Sequence, residues 1–168
     1  AAGWDALLNN DSSQHGTANG NTAVGCGALL NNVDGSDNTA VGSQALYTNS
    51  TGGSNTAIGS GALQNAVVGF NKAVGFLAGS NIIDASNVTC IGANVGGANV
   101  SNTTWIGNIY GMTTQSGTTS AVIVSDDGQL GTVASSERFK RDIANMQNTS
   151  DAILSLRPVT FHYKTDTK

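Results

Sequence analysis

One five-residue phrase keeps returning in this chain, and such a return constrains a fold more than any local motif. Asn21-Thr22-Ala23-Val24-Gly25 comes back as Asn38-Thr39-Ala40-Val41-Gly42, as Asn55-Thr56-Ala57-Ile58-Gly59 and as Asn71-Lys72-Ala73-Val74-Gly75. It weakens to Thr89-Cys90-Ile91-Gly92 and Thr104-Trp105-Ile106-Gly107. The closing glycines are spaced by 17, 17, 16, 17 and 15 residues. A second column lies three and four residues after the glycine: Ala28-Leu29, Ala45-Leu46, Ala62-Leu63, and Ala6-Leu7 after Gly3. Ala1-Ala2-Gly3 therefore reads as the tail of an earlier strand. The 22-residue step from Gly3 to Gly25 places an enlarged loop at residues 11–17.

The physical reading is all-β: a parallel β-solenoid of about 17-residue coils, in which Thr-Ala-Val is one short strand and Ala-Leu another. Asn, Gly, Ser and Asp fill the turns. Each coil sets like residues above like at a rise of roughly 4.8 Å, so six coils span about 30 Å. Asn21, Asn38, Asn55 and Asn71 stand where a side-chain hydrogen-bond ladder is expected, and the glycine after each strand permits a sharp bend. Only 5% of the residues are aromatic, while Gly reaches 22. A globular core would be poorly filled by such a composition, whereas a narrow stack of small residues suits it.

Successive strand residues face opposite ways. Ala23 and Val24 are both apolar, as are Ala28 and Leu29. A lone roll covers one of those faces internally; the other calls for partner chains. On this reading Val24, Val41, Ile58, Val74, Ile91 and Ile106 form one buried column. The order of the oligomer does not follow from patterning.

These repeats resemble the heads of trimeric autotransporter adhesins and the repeat shafts of phage and large-virus fibres, over about residues 1–110. The resemblance rests on the Asn-Thr-Ala-Val-Gly and Ala-Leu columns. It implies a homotrimer of rolls packed about one axis.

The repeat stops after Gly111, and the charge changes sign near Ser135. Residues 1–134 carry seven aspartates against one base, Lys72, whereas residues 135–168 carry six bases against four acids. An acidic face is a poor partner for phosphate, so nucleic-acid binding is not expected. No apolar run approaches the length of a membrane-spanning helix, so no membrane insertion is expected. Residues 121–124 read as a strand and Asp126-Asp127-Gly128-Gln129 as a turn. Thr149 or Ser150 is placed to cap a short helix over residues 151–156, and residues 159–163 read as a further strand. Three regions follow: solenoid 1–111, β connector 112–134 and an α+β segment 135–168.

Three blocks in that last stretch resemble the endosialidase-type intramolecular chaperone domain at the ends of phage tailspikes and fibres. They are Asp127-Gly128-Gln129-Leu130-Gly131-Thr132, Ser135 through Ile143, and Ala152 through Lys164 with its Arg157-Pro158-Val159-Thr160-Phe161. That domain normally runs further than this sequence does, so residues 135–168 read as its N-terminal part. The resemblance implies a segment that assists trimer folding and then cuts itself off. The cut falls just before a serine with a lysine five residues on, which selects Ser135 and Lys140 and a scissile bond between Ala134 and Ser135. A serine hydroxyl needs a base, and a desolvated lysine amine can serve. Ser136 is the rival nucleophile. Taken by spacing alone, Ser135 and Lys140 would read as an ordinary polar linker.

The remaining chemistry-bearing residues read structurally. Cys26 and Cys90 lie four coils apart, about 19 Å at the strand spacing, too far for a disulfide. Cys90 takes an alanine position and suits burial; Cys26 shares a column with Ser43 and Ser60 and suits a free surface thiol. His15 and His162 lack partners at metal-ligand spacing, and no metal or cofactor is expected. Trp4 and Trp105 read as packing residues, Trp105 as a cap on the last coil, although an exposed tryptophan can also stack on a sugar.

The sequence therefore favours a structural and adhesive fibre protein of a virion, or alternatively of a cell surface. Its expected partners are a host or surface receptor, glycan or protein, and other fibre or virion proteins. The alternative is a fibre-associated glycan-degrading enzyme, but that chemistry needs two facing carboxylates, and the repeats hold no recurrent acidic pair. Ice or mineral binding through Thr22, Thr39 and Thr56 is a third reading, and Lys72 interrupts its ladder.

Overall fold

A computed structural model describes residues 1–114 and 119–132. Among them there is no helix; six strands form one parallel sheet and two form a hairpin. The sheet strands β1 (Thr22–Val24), β2 (Thr39–Val41), β3 (Thr56–Ile58), β4 (Lys72–Val74), β5 (Thr89–Ile91) and β6 (Thr104–Ile106) stack in chain order. Their register places Ala23 beside Ala40, Ala40 beside Ala57, Ala57 beside Ala73, Ala73 beside Cys90 and Cys90 beside Trp105. The chain is a parallel β-solenoid, and the returning phrase is its coil. Ala2 makes a parallel bridge to Val24, so the first residues do continue the sheet.

The glycine that closes each phrase sets how closely the coils approach. A Cβ at Gly42 would lie 2.5 Å from the Gly59 carbonyl carbon, and one at Gly59 would lie 2.3 Å from the Gly75 oxygen. Both positions also hold φ near +130°, a region that side chains disfavour. Any other residue would push the coils apart at that corner.

The second expected strand is not a strand. Ala28-Leu29, Ala45-Leu46 and Ala62-Leu63 lie in turns, with Leu29, Leu46 and Leu63 at φ of 50–51°. Leucine rarely adopts this left-handed conformation. Here two gains offset its cost. Each leucine is fully buried, which stabilises by roughly 1.5–3 kcal/mol per side chain. Each leucine N–H also donates to the next coil: Leu29 to Ala45, Leu46 to Ala62 and Leu63 to Ala78, at 2.9–3.0 Å. The ladder therefore runs through the turn without extended backbone, and both Ala and Leu point inward rather than to opposite faces.

The interior is an alanine–leucine–asparagine stack. The expected ladder is present: the N–H groups of Asn38, Asn55, Asn71 and Val88 donate to the side-chain oxygens of Asn21, Asn38, Asn55 and Asn71, all at 2.8–2.9 Å. A second column, unread in the sequence, sits seven residues after the glycine. There Asn49 Nδ2 donates to Asn32 Oδ1 at 2.9 Å and Asn32 Nδ2 to Asn10 Oδ1 at 2.8 Å. No buried side-chain N or O among the described residues lacks a partner, as an apolar surround requires. Ala66 and Ile82 replace asparagine later in this column, so its polar rungs end at Asn49.

Beyond the solenoid, β7 (Val122–Val124) and β8 (Leu130–Thr132) pair antiparallel. Residues 1–113 and 114–168 form separate compact units.

Candidate functional site

In β1 to β5 the central residue points inward and its two neighbours point outward, whereas in β6 the central Trp105 is itself exposed. Ala23, Ala40, Ala57, Ala73 and Cys90 are fully buried. The outward valine–isoleucine column is not: Val24, Val41, Ile58, Val74, Ile91 and Ile106 are 37–44% exposed. The expectation of one buried column thus fails for a single chain, because the Thr-Ala-Val alternation gives the interior to alanine. What results is a continuous apolar stripe along the solenoid, flanked by Thr22, Thr39, Thr56, Lys72, Thr89 and Thr104. Lys72 turns its ammonium back on the Phe70 carbonyl oxygen at 3.0 Å.

The column just past the glycine carries Trp4, Cys26, Ser43, Ser60, Phe76 and Ala93. Trp4 is 78% exposed rather than packed, and Phe76 is also exposed. Cys26 is a free exposed thiol and Cys90 a free buried one. Burial among alanines raises the Cys90 pKa, partly offset by a backbone hydrogen bond at Gly79, so this thiol is inert rather than nucleophilic. Trp105 extends the alanine–cysteine column at β6, and its indole N–H donates to Thr103 Oγ1 at 3.0 Å.

The enlarged loop in the first coil brings Ser13, His15, Thr17 and Asp34 together. The Ser13 hydroxyl donates to the Asp34 carboxylate, Thr17 Oγ1 donates to it at 3.1 Å, and His15 Nδ1 lies 3.5 Å away. The Ser13 hydrogen bond, more than any other cause, lowers the Asp34 pKa. Coil stacking makes this cluster, and no spacing in the sequence announces it. Although a serine, a histidine and an aspartate meet here, they do not form a relay. Ser13 and His15 both address the same carboxylate oxygen, so no imidazole nitrogen is positioned to take the Ser13 proton. The cluster pins the loop to the coil above. Among the described residues no group of three or more His, Cys, Asp or Glu could hold a metal ion, and no helix is long and apolar enough to cross a membrane.

The expected turn before the chaperone-like segment is present. Ser125 N–H donates to Gln129 O and Gly128 N–H to Ser125 O, both at 2.9 Å, with Gly128 at φ +86°. This is a three-residue hairpin loop of the type that needs a left-handed third residue. The Ser125 hydroxyl donates to the Asp127 carboxylate and thereby lowers its pKa. The hairpin ends at Thr132. Ala134, Ser135, Lys140, the rival Ser136, His162 and the expected helix and strand of residues 151–163 lie outside the described residues.

Comparison with known proteins adds one finding. Residues 135–168 match the family model for the chaperone of endosialidase. No curated protein and no solved structure matches the chain. The matched segment begins at Ser135, where the charge changes sign, and the solenoid before it is the kind of repeat a fibre presents. The chain is a β-solenoid repeat protein whose residues 135–168 carry the signature of the endosialidase chaperone family.

Proposed function

We propose that this chain is part of a trimeric attachment fibre, a virion appendage or otherwise a cell-surface one, whose terminal segment contributes to an intramolecular chaperone. The observation that carries the reading is the unbroken Val24-to-Ile106 stripe. It runs the length of the described sheet at about two-fifths exposure, and soluble monomers rarely leave a contiguous apolar strip of that kind bare. The occupant is two further copies of the same chain, in parallel register. Every coil then presents valine or isoleucine to the same level of its partners. The chaperone match at residues 135–168 supports this choice, since domains of that family act in trimer assembly. The enlarged loop and Trp4 remain outside the stripe, where a receptor, glycan or protein, is met.

The same reading assigns a single-turnover cut to Ser135 and Lys140 in a chain carrying the complete family domain. Lys140 Nζ takes the hydroxyl proton as Ser135 Oγ attacks the Ala134 carbonyl carbon. The Ala134–Ser135 amide bond breaks, the serine nitrogen leaves protonated, and an ester joins Ala134 to Ser135 Oγ. Water then hydrolyses the ester and frees the fibre. The product is a mature fibre, not a working protease.

Light scattering on the repeat region tests the assembly: three chains are expected, and a stable soluble monomer at micromolar concentration would overturn it. Ile58→Asp places a charge in the seam and is expected to leave a monomer; normal assembly of that variant would overturn the assigned seam. Intact-mass spectrometry tests the cut. Ser135→Ala and Lys140→Ala should each remain full length and trimeric, while Ser136→Ala should still be cleaved.

A further inference from the structure

The geometry points to Asn19 as a site of spontaneous covalent modification: deamidation through a succinimide with Gly20. Three conditions meet at this residue. Its side chain is exposed. It is followed by glycine, whose missing Cβ leaves the next backbone nitrogen unhindered. And the Gly20 N–H, the group that must attack, makes no hydrogen bond among the described residues.

No other asparagine of the described solenoid satisfies all three. The ladder asparagines Asn38, Asn55 and Asn71 are fully buried, and the N–H after each is held: Thr39 by Asn55 O, Thr56 by Asn71 O and Lys72 by Val88 O. Asn32 is buried, and the Val33 N–H donates to Ser50 O. Asn49 is followed by a free N–H, that of Ser50, but is itself fully buried. Asn102 and Asn108 are exposed with free following amides, yet Thr103 and Ile109 are β-branched and crowd the attack. Asn19 stands between the enlarged loop and β1, where the chain leaves the ladder.

The step balances without any cofactor. The Gly20 nitrogen attacks Asn19 Cγ and loses its proton, the Cγ–Nδ2 bond breaks, and ammonia leaves a five-membered imide. Water opens the imide at either carbonyl, giving aspartate or its isomer with the backbone rerouted through the side chain. Either product puts a new carboxylate beside Asp37, whose Oδ1 already sits where a Gly20 Cβ would point, 2.4 Å away. Two anchors weaken: Asn19 Nδ2 to Gly16 O at 2.7 Å is lost, and the acceptor of Asp37 N–H at 2.9 Å shifts in the isomerised backbone. The entry to β1 loosens while the ladder beyond it stays intact.

Peptide mapping by mass spectrometry after incubation of the folded chain at mildly alkaline pH is the test. Amide-to-acid conversion at Asn19 is expected about tenfold faster than at Asn102, a ratio equal to about 1.4 kcal/mol of activation free energy. Asn19→Gln should abolish the fast conversion and leave the circular dichroism spectrum unchanged. In denaturant, conversion at Asn49 should rise sharply while that at Asn19 changes little. Conversion led by another asparagine, or an Asn19 that is inert in the folded chain yet reactive in denaturant, would overturn the assignment.

Discussion

The sheet strands of the solenoid and the hairpin strands β7 and β8 are all three residues long, yet they meet solvent in opposite ways. By composition β7, Val-Ile-Val, is more apolar than β1, Thr-Ala-Val. Nevertheless Val122, Ile123 and Val124 are exposed, whereas Ala23 and its counterparts are fully buried. Burial here comes from stacking, not from strand apolarity. Each coil covers the alanine, leucine and asparagine of the one below. A two-stranded hairpin has no second layer and is marginal by itself. The solenoid is thus stabilised by periodicity, and the hairpin depends on whatever packs on it.

Glycine substitution should give the largest contrast between the two regions. Gly42→Val drives a Cβ into the Gly59 backbone at a strained φ, and a loss of roughly 4 kcal/mol or more is expected. Gly131→Ala in β8 meets no heavy atom of the described residues within 4 Å, and a change within about 0.5 kcal/mol is expected. Urea unfolding of both variants measures the difference. A mild Gly42→Val would mean that the coils are not spaced by their glycines.

Truncating leucine is the next contrast. Leu46→Ala opens a void in a fully buried stack and should cost about 2–5 kcal/mol. Leu130→Ala removes an exposed side chain and should shift the same unfolding midpoint little. Equal losses would show that the hairpin leucine is covered as deeply as the solenoid's.

Within the solenoid, a polar rung should matter less than a leucine. Asn55→Ala leaves the Asn71 N–H without its acceptor and should cost about 1–3 kcal/mol. Hydrogen exchange at Asn71 should accelerate selectively. Unchanged protection there would remove the ladder from the account of stability.

The smallest effect is expected in the enlarged loop of the first coil. Hydrogen bonds hold the Asp34 pKa below the ordinary 3.8. A depressed carboxylate contributes stability that is fully present above its unfolded value and is lost as pH falls through the folded one. Loop order should therefore be constant above about pH 4 and fade below it, and Asp34→Ala should abolish that dependence. Fluorescence of a probe placed at Ser12 reads the loop; an identical acid profile in the variant would exclude Asp34 as the cause.

The fold was legible in this sequence because a solenoid writes its period directly into it. The Asn-Thr-Ala-Val-Gly phrase located all six sheet strands, their register and the asparagine ladder; the long Gly3-to-Gly25 step located the loop; and Asp126-Asp127-Gly128 located the hairpin turn. Ala-Leu reads as a strand in the sequence because leucine carries no mark of a left-handed turn. The Asn10–Asn32–Asn49 column is obscured in the sequence because alanine and isoleucine end it after three rungs. The Ser13–Asp34 contact left no trace at all, since only the stacking of one coil on another closes a gap of 21 residues.

The sequence by itself therefore determined the stack: which residues repeat, how far apart, and which backbone corners exclude a side chain. It also carried the chaperone signature at residues 135–168, where the match is a matter of residue order. Only the tertiary structure decided direction. An alternating strand states that two faces differ, not which of them is inside; that choice depends on what fits the narrow interior. Coils in contact through glycine corners leave room for alanine at the strand and leucine at the turn. Valine and isoleucine are consequently turned outward, and the column expected to be the core became the face left bare.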